Sequence, residues 1–306
     1  MKAVVFDGRG LASQTETLLK EKIAKLGFTP KLVSLFFKED PASILYTALK
    51  EQAAEQVGVS FHGEEMSVLE PLESLVRKVR KFSKDQHIHG VMVQKPAKKE
   101  LMEKVDVSKV GFEGWWERLV MEIYPGKDVD CLNPANLDLV YRGRWKIVPA
   151  TVRAVLTILD YAMTRLDLDS RLVDRQVVVV GRSEIVGKPL AYVLAQRGMS
   201  ISLCGSEGVV SQSLGSQMVE VRKPEDIASA VRVADVVVSA TGNPGIITGE
   251  MVKEGVIVID VGSPIGDVEF DSVVKEASFI TPVPGGVGPV TVVSLLENLV
   301  ELVTQA

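Results

Sequence analysis

The sequence has few of the residues from which metal sites are built. Two cysteines, Cys131 and Cys204, and three histidines occur in 306 residues. The cysteines lie far apart and match no metal-binding spacing. His87 and His89 would share one face of a strand, but no third ligand accompanies them. We therefore expect no metal site. The scarcity of cysteine and the lack of a signal peptide predict a reducing, cytoplasmic setting.

A dominant positive charge and long apolar runs are also missing. The formal net charge is −5, so we expect no basic surface that would attract nucleic acid. No apolar run approaches the roughly 20 residues of a membrane-spanning helix, so we expect no membrane association. What remains, 46% hydrophobic and 25% charged residues, is typical of a soluble globular protein long enough for two domains.

One strand, turn and helix stand out at residues 177–198, although the common G-x-G-x-x-G dinucleotide fingerprint is absent. Four consecutive valines, 177–180, predict a strand buried on both faces of a parallel sheet. Gly181, Ser183 and Gly187 follow before an apolar helical run. Glycines let a ligand approach the backbone, and the first N–H groups of a helix face an anion. This arrangement favours a dinucleotide cradle; the alternative is a plain turn without a ligand.

Strand-like and helix-like segments alternate along the chain, which predicts an α/β fold with parallel sheets. In the first half we predict strands at 31–37, 59–61 and 89–94, and helices at 11–26, 43–57 and 71–84. In the second half we predict strands at 177–180, 201–204, 234–242, 255–262 and 279–283, and a last helix at 291–304. Several of these later strands end in small or polar residues, as expected where a ligand lies across their carboxyl ends.

Two segments have a less regular pattern. Residues 209–226 are serine-rich and predict an inserted, irregular loop. Trp115 and Trp116 are adjacent and cannot share one face of a helix. We expect a structural role for them, with one at the edge of the core; the alternative for the other is exposure or contact with a partner.

Five motifs carry a resemblance to a known family. They are PASILYTALK (41–50), GVMVQKP (90–96), KDVDCLNPAN (127–136), VVVVGRSEIVGKPLAYVL (177–194) and TPVPGGVGPVTVVSLLENLV (281–300). Together they resemble the bifunctional methylenetetrahydrofolate dehydrogenase/cyclohydrolase (FolD-type) family. The motifs run in the family's order and cover nearly the whole chain.

The resemblance implies a fold and two reactions. A three-layer α/β catalytic domain (1–149) would precede a Rossmann-like NAD(P)-binding domain (150–289), with the final helix (290–306) packed back onto the first domain and folate in the cleft between them. The reactions oxidise 5,10-methylenetetrahydrofolate with NADP and hydrolyse the methenyl product to 10-formyltetrahydrofolate. A cytoplasmic homodimer acting in one-carbon metabolism and purine biosynthesis is also implied.

The resemblance also implies which residues meet folate. Tyr46, Lys50, Gln94 and Asp130 match the catalytic positions. Tyr46 and Lys50 are four residues apart and share a helix face, so the ring would stack on folate while the lysine reaches the one-carbon bridge. Gln94 would tune that lysine, and Asp130 would accept hydrogen bonds from the pterin. The remaining substrate-binding positions are Val93, Lys95, Pro284, Gly285 and Gly286.

A second set of positions matches the family's cofactor site. Arg182, Ser183 and Ser206 correspond to residues that hold the 2′-phosphate of NADP, for which the guanidinium supplies a fixed charge. The other cofactor-binding positions are Gly181, Gly187, Thr241, Gly242 and Ser263.

Departures from the family's pattern leave alternatives open. Glu207 would oppose a 2′-phosphate, so NAD is possible in place of NADP. Lys95 replaces a leucine, and it would either lower the pKa of Lys50 by like-charge repulsion or face solvent. Lys95 and Cys131, which replaces a glycine, would together allow a dehydrogenase with an impaired cyclohydrolase.

Two hypotheses of other classes remain. A non-catalytic folate or nucleotide binder would have no need of Lys50. A different Rossmann oxidoreductase, such as a shikimate-type dehydrogenase, would explain the architecture but not the PVPGGVGP and KDVD motifs together.

Overall fold

The computed structural model describes residues 2–96, 111–168, 175–205, 212–214, 217–222 and 227–304. The strands are β1 (Val4–Val5), β2 (Lys31–Phe37), β3 (Ser60–Met66), β4 (Gly90–Val93), β5 (Gln176–Val180), β6 (Ser200–Cys204), β7 (Gln212–Leu214), β8 (Gln217–Arg222), β9 (Val236–Ser239), β10 (Ile257–Asp260) and β11 (Phe279–Ile280). The helices are α1 (Gly8–Ala24), α2 (Pro41–Val57), α3 (Leu72–Lys84), α4 (Gly111–Val120), α5 (Pro134–Tyr141), α6 (Ala150–Arg165), α7 (Gly187–Gln196), α8 (Ile227–Val233), α9 (Phe270–Val273) and α10 (Val287–Thr304).

The chain forms two compact units, each assembled from discontinuous segments. The N-terminal unit comprises Ser13–Asp138, Trp145–Ala150 and Val292–Ala306. The C-terminal unit comprises Met1–Ala12, Leu139–Arg144 and Thr151–Thr291. Each unit has its own, mainly parallel sheet, which confirms the predicted two-domain α/β class.

The N-terminal unit is built on a three-stranded parallel sheet in the order β3-β2-β4. Leu32, Val33 and Leu35 on the central strand are at most 2% exposed, so both faces of this strand are covered. Helix α2 begins after Asp40, whose carboxylate accepts from the Ala42 N–H at 3.0 Å. It ends at Gly58, whose φ of 88° is easily adopted only by glycine.

The C-terminal unit is built on a sheet in the order β1-β11-β10-β9-β5-β6-β8-β7. The pairings are parallel except for that of β7 with β8. The four valines of β5 are at most 2% exposed, as their unbroken apolar pattern predicts for a central parallel strand. Their carboxyl ends, and those of β9 and β10, point to the same edge of the sheet.

The division of the chain differs from the predicted boundaries at 149 and 150. The first strand, β1, pairs with β11 through Val4–Phe279 and Val5–Ile280, so the first residues complete the sheet of the C-terminal unit. The segment Leu139–Arg144 also belongs there, and the ring of Tyr141 lies 4.3 Å from that of Tyr192. Long-range strand pairing and ring packing decided these boundaries, and neither leaves a local signal.

Two local predictions were wrong or incomplete, and a third was confirmed. Residues 212–214 and 217–222 form the β7–β8 hairpin rather than an irregular loop. Strand β3 extends to Met66, well beyond the predicted 59–61, because it is an edge strand that tolerates polar residues. Trp115 and Trp116 are only 2% and 5% exposed, and the Trp115 ring lies 5.6 Å from that of Phe37. Both therefore have the expected structural role, and neither is exposed as the alternative required.

One helix among the described residues, α10, is long and apolar enough to cross a membrane. Half of that span is buried inside the structure. It is a core helix: Leu295, Leu296 and Leu299 are at most 1% exposed. Its buried Asn298 donates to the carbonyl oxygens of Val129 at 2.9 Å and Val148 at 2.8 Å.

Candidate functional site

The ammonium of Lys50 is buried in the N-terminal unit and bonded to an amide. Lys50 lies on α2 and is 7% exposed. Its Nζ donates to Oε1 of Gln94 at 2.7 Å, and Gln94 directly follows β4. Burial lowers the pKa of Lys50, since a charged ammonium is disfavoured away from water. The geometry therefore holds a lysine that loses its proton more easily than an exposed one.

Asp130 is the charge that opposes this effect. Its carboxylate favours the protonated form of Lys50, and burial in turn raises the pKa of Asp130, against the opposing influence of Lys50. Oδ1 of Asp130 accepts from the Ala150 N–H at 3.0 Å. The structure thus brings Lys50, Gln94 and Asp130 together, in the unit that also contains Tyr46.

Asp128, two residues before Asp130, holds the KDVD segment in place. Asp128 is fully buried and accepts hydrogen bonds from the Leu132 and Asn133 N–H groups at 2.9 and 2.8 Å and from the Asn136 amide at 2.9 Å. Burial raises the pKa of Asp128 to about 6. Asp128 therefore has the capping role that suits a turn, and it leaves Asp130 as the carboxylate beside the lysine.

Gly90 allows the KDVD segment to lie against β4. Asp128 forms an isolated parallel bridge with Val91. A β-carbon at Gly90 would stand 2.6 Å from the Val129 side chain and 2.8 Å from that of Leu299. Only glycine leaves room for this approach, so the sequence GVMVQ supplies both the close contact and the amide of Gln94.

The other predicted folate residues of this unit differ in their burial and in their contacts. Tyr46 lies half-buried on α2, one turn before Lys50, and Val93 is buried within β4. Lys95 is turned to helix α4. Its ammonium lies 3.2 Å from the Glu113 carboxylate and 5.4 Å from the centre of the Trp116 ring. The charge that acts on the pKa of Lys50 is that of Asp130, and the Lys95 ammonium is paired with Glu113, so like-charge repulsion from Lys95 receives no support.

Cys131 occupies the position where the family's pattern has glycine. Its φ is 54°, a conformation that glycine adopts without strain and a cysteine does not. The side chain is fully buried, and burial raises the pKa of its thiol. The thiol therefore stays protonated, and the substitution leaves Asp130 bonded to Ala150.

The predicted folate residues Pro284, Gly285 and Gly286 belong to the C-terminal unit. Gly285 has a φ of 101°. A β-carbon at Gly8, on the first turn of α1, would lie 1.9 Å from the Gly286 carbonyl oxygen. The glycine-rich loop is therefore held against the beginning of α1 by close backbone contact, in a conformation that side chains would block.

The glycine turn after β5 has the shape that a dinucleotide phosphate requires. Gly181 has a φ of 118°, and a β-carbon at Gly187 would lie 1.8 Å from the Gly181 carbonyl oxygen. Ser183 Oγ accepts from the Val186 and Gly187 N–H groups at 3.2 and 3.4 Å. So tight a turn places backbone rather than side chains at the beginning of α7, which fits an anion.

The remaining predicted cofactor residues lie around the same strand ends. The stem of Arg182 rests on Gly205, where a β-carbon would lie 2.1 Å from Cδ. Thr241 and Gly242 follow β9, and Ser263 follows β10. Ser206 and Glu207 lie outside the described residues, so the choice between NADP and NAD stays a prediction at those positions. No cluster of three or more His, Cys, Asp or Glu side chains suited to a metal occurs in the part of the chain that the structure describes.

Two buried carboxylates were not among the site residues predicted from the sequence. Asp260 and Asp267 are 3% and 0% exposed, and both bind backbone N–H groups of the loops after β9 and β10. Asp260 was visible only as the end of a strand, and Asp267 is a single acid in a loop. No spacing in the sequence marks them, because they bind mostly backbone N–H groups, and Asp267 reaches that of Thr241, 26 residues earlier in the chain.

Comparisons with known proteins show the family of the chain. The model of the tetrahydrofolate dehydrogenase/cyclohydrolase catalytic domain matches residues 6–130, and that of the family's NAD(P)-binding domain matches residues 149–306. The chain is 36% identical over 309 residues to the bifunctional protein FolD of Geotalea uraniireducens, covering 98% of each chain. It is 34% identical over 311 residues to that of Moorella thermoacetica, covering 98% of this chain and 99% of the other.

A solved structure is similar over the same extent. It is the Trypanosoma brucei methylenetetrahydrofolate dehydrogenase-cyclohydrolase complexed with NADP and an inhibitor. The TM-score is 0.83 at 33% sequence identity, and the match covers 100% of this chain and 98% of the other.

Proposed function

Because the chain belongs to the tetrahydrofolate dehydrogenase/cyclohydrolase family, we propose that it oxidises 5,10-methylenetetrahydrofolate to 5,10-methenyltetrahydrofolate with NADP and hydrolyses that product to 10-formyltetrahydrofolate. The hydrogen bond of Lys50 to Gln94 beside Asp130 carries this proposal. A protein that only bound folate or a nucleotide would have no use for a buried lysine of lowered pKa.

The oxidation needs alignment more than proton transfer. Loss of a hydride from the methylene bridge leaves an amidinium cation that the two flanking nitrogens stabilise. When bound, NADP accepts that hydride. The protein contributes a rigid platform: the tight turn at Gly181 and Gly187 and the loops at Thr241 and Ser263 orient the dinucleotide, and no acid or base is required at the reacting carbon.

The hydrolysis needs a base. Water adds to the methenyl carbon as its proton passes to a neutral Lys50, whose lowered pKa makes that form available. The bond from this carbon to N5 then breaks as the added hydroxyl loses its proton and becomes the formyl oxygen, N5 takes up a proton, and the formyl group stays on N10. Gln94 fixes the direction of the lysine nitrogen, and the nearby carboxylate of Asp130 suits the donor edge of a pterin.

The cofactor assignment rests on the glycine turn and on Arg182, whose guanidinium suits a 2′-phosphate. The similar Trypanosoma brucei enzyme, whose structure was solved as a complex with NADP, supports it. Glu207 keeps NAD as the second candidate. A homodimer, a cytoplasmic location and a place in purine biosynthesis are further parts of the proposal, which rest on the family's pattern.

A direct assay tests the proposed function. Purified protein is given 5,10-methylenetetrahydrofolate with NADP or NAD, while the reduced cofactor and the methenyl product are followed separately. We expect reduction of NADP and enzyme-dependent disappearance of the methenyl compound. Absence of hydride transfer with either cofactor would contradict the proposal. Accumulation of the methenyl product without accelerated hydrolysis would leave a dehydrogenase alone.

A further inference from the structure

Asp267 ties together two loops at the carboxyl edge of the sheet in the C-terminal unit. Its side chain is fully buried. Oδ2 accepts from the hydroxyl of Ser239 at 2.9 Å and from the Thr241 N–H at 2.6 Å. Ser239 ends β9, and Thr241 begins the loop that follows it. One carboxylate therefore connects the segment after β10 to the segment after β9.

Asp260 fixes the position from which Asp267 acts. Its carboxylate accepts from the N–H groups of Gly262 at 2.8 Å, Asp267 at 3.1 Å and Val268 at 2.9 Å. The loop between them has no room for added side chains. A β-carbon at Gly262 would lie 2.8 Å from Oδ1 of Asp267, and one at Gly266 would lie 2.5 Å from Oδ2 of Asp260. The segment that contains Ser263 is therefore folded tightly around two carboxylates.

The loop held by Asp267 leans directly on the glycine turn. The Ala240 N–H donates to the Val180 carbonyl at 2.7 Å. A β-carbon at Gly181 would lie 2.3 Å from the Ala240 carbonyl oxygen. A change in the backbone path of residues 240–242 would therefore displace the glycine turn, which fits the dinucleotide phosphate.

Packing alone does not account for a carboxylate at this position. Oδ1 of Asp267 is buried and accepts no hydrogen bond from the described residues. Burying a carboxylate with one oxygen unsatisfied costs free energy. The short bond to Thr241 is charge-assisted and stronger than a neutral one. Asp267 therefore lowers the stability of the folded unit but holds the loop after β9 in a defined position.

We propose that Asp267 is a positioning residue for the dinucleotide, which holds the Thr241–Gly242 loop and the Ser263 segment in register with the glycine turn. The proposal rests on the proposed function for the identity of the dinucleotide as NADP. Asp267 acts through Thr241 and the backbone, and it takes no part in the chemistry at the folate carbon.

The test measures NADP affinity directly and uses the hydrolysis reaction as an internal control. NADP dissociation constants are determined by calorimetry for the wild type, Asp267→Ala and Asp267→Asn, together with cyclohydrolase kinetics, which require no dinucleotide. We expect Asp267→Ala to weaken NADP binding by about tenfold or more, as the loss of a charge-assisted hydrogen bond predicts. Asp267→Asn, whose amide oxygen can still accept both bonds, should restore most of the affinity. Cyclohydrolase kcat should stay within about twofold in both variants, because Lys50 and Gln94 lie in the other unit.

Asp235→Ala is the matched control. Asp235 also joins separate segments of the C-terminal unit, through the Gln176 N–H at 2.8 Å and the Lys253 ammonium at 2.8 Å, but it does so at the amino ends of the strands. We expect nearly wild-type NADP affinity from this variant. Equal weakening by Asp235→Ala and Asp267→Ala, or unchanged affinity in a folded Asp267→Ala protein, would overturn the proposal.

Two further measurements cover the cases in which Asp267→Ala does not fold or the proposed function fails. If Asp267→Ala does not fold, Ser239→Ala replaces it, because it removes one of the two bonds to the carboxylate; unchanged NADP affinity in that variant would then overturn the proposal. If the wild type binds NADP but does not oxidise methylenetetrahydrofolate, the proposed function fails and the binding comparison still decides the role of Asp267.

Discussion

At the scale of single residues, the site depends on burial that acts in opposite directions on two charges. Burial lowers the pKa of Lys50 and raises that of Asp130. Each charge partly offsets the effect of burial on the other. The hydrogen bond to Gln94 keeps the lysine nitrogen in place whether it is charged or neutral, because both forms can donate.

The first prediction concerns Lys50. Lys50→Met removes the base and should reduce cyclohydrolase kcat by about 100-fold or more, the usual contribution of a positioned general base, while folate binding is largely kept. Lys127→Met is the matched control, because burial also lowers the pKa of Lys127 but its ammonium donates to the Asp85 carbonyl oxygen. Single-turnover hydrolysis of the methenyl compound measures both. Persistent hydrolysis in Lys50→Met would show that another group is the base.

The second prediction concerns pH and Lys95. If neutral Lys50 is the base, as we propose, the hydrolysis rate should fall as the pH drops below the lowered pKa of this lysine. Lys95→Leu should leave that pH profile where it is, because the Lys95 ammonium pairs with Glu113. If Lys95 repelled Lys50, its removal would raise the pKa of Lys50 and shift the profile to higher pH. Profiles of kcat measured for both proteins distinguish these results.

At the scale of secondary-structure elements, the carboxyl ends of parallel strands organise both units. Gln94 follows β4 in one unit, and the turn at Gly181 and the loops at Thr241 and Ser263 follow β5, β9 and β10 in the other. Strand ends suit such sites because a rigid sheet holds the side chains and backbone groups there, while these groups are not used in hydrogen bonds between strands.

The third prediction tests how β4 receives the KDVD segment. Gly90→Ala places a methyl group 2.6 Å from the Val129 side chain, so the segment must shift. Overpacking of this kind costs about 1–3 kcal/mol of unfolding free energy, and we expect cyclohydrolase activity to fall with it because Asp130 follows Val129. Denaturant unfolding and hydrolysis rates are compared with those of Gly63→Ala, on strand β3 of the same unit, whose β-carbon would come no closer than 3.4 Å to another atom. An equally active Gly90→Ala protein would contradict the close approach.

At the scale of the whole molecule, neither unit is a continuous piece of chain. The N-terminal unit includes the segment Val292–Ala306, and the C-terminal unit includes Met1–Ala12. A division of the sequence at one boundary therefore separates residues that fold together.

The fourth prediction follows from this arrangement. A fragment of residues 1–149 lacks α10 and with it Leu295, Leu296 and Leu299, all at most 1% exposed. Each buried leucine contributes about 1.5–3 kcal/mol, which together rivals the net stability of a typical domain. We expect the fragment to unfold without a cooperative transition in circular dichroism and to hydrolyse no methenyl compound. A cooperatively folded, active fragment would show that α10 is dispensable.

The sequence predicted those elements whose signal is local. The apolar runs at 31–37 and 177–180 correspond closely to β2 and β5, and Gly58 ends α2 as a glycine after a helix should. The motifs also located Lys50, Gln94 and Asp130. The β7–β8 hairpin was missed because a serine-rich segment lacks the alternation that marks a strand.

The sequence by itself determined the family and the α/β class and pointed to the lysine that we propose as the base, because buried strands, glycine turns and motif spacing are local properties of the chain. Only the tertiary structure decided that β1 belongs with β11, that Lys95 turns to Glu113, and that Asp267 binds the end of β9 at Ser239 and the loop after it at Thr241. Each of these depends on groups brought together across many residues, and backbone N–H groups, which every residue except proline possesses, leave no mark in a sequence.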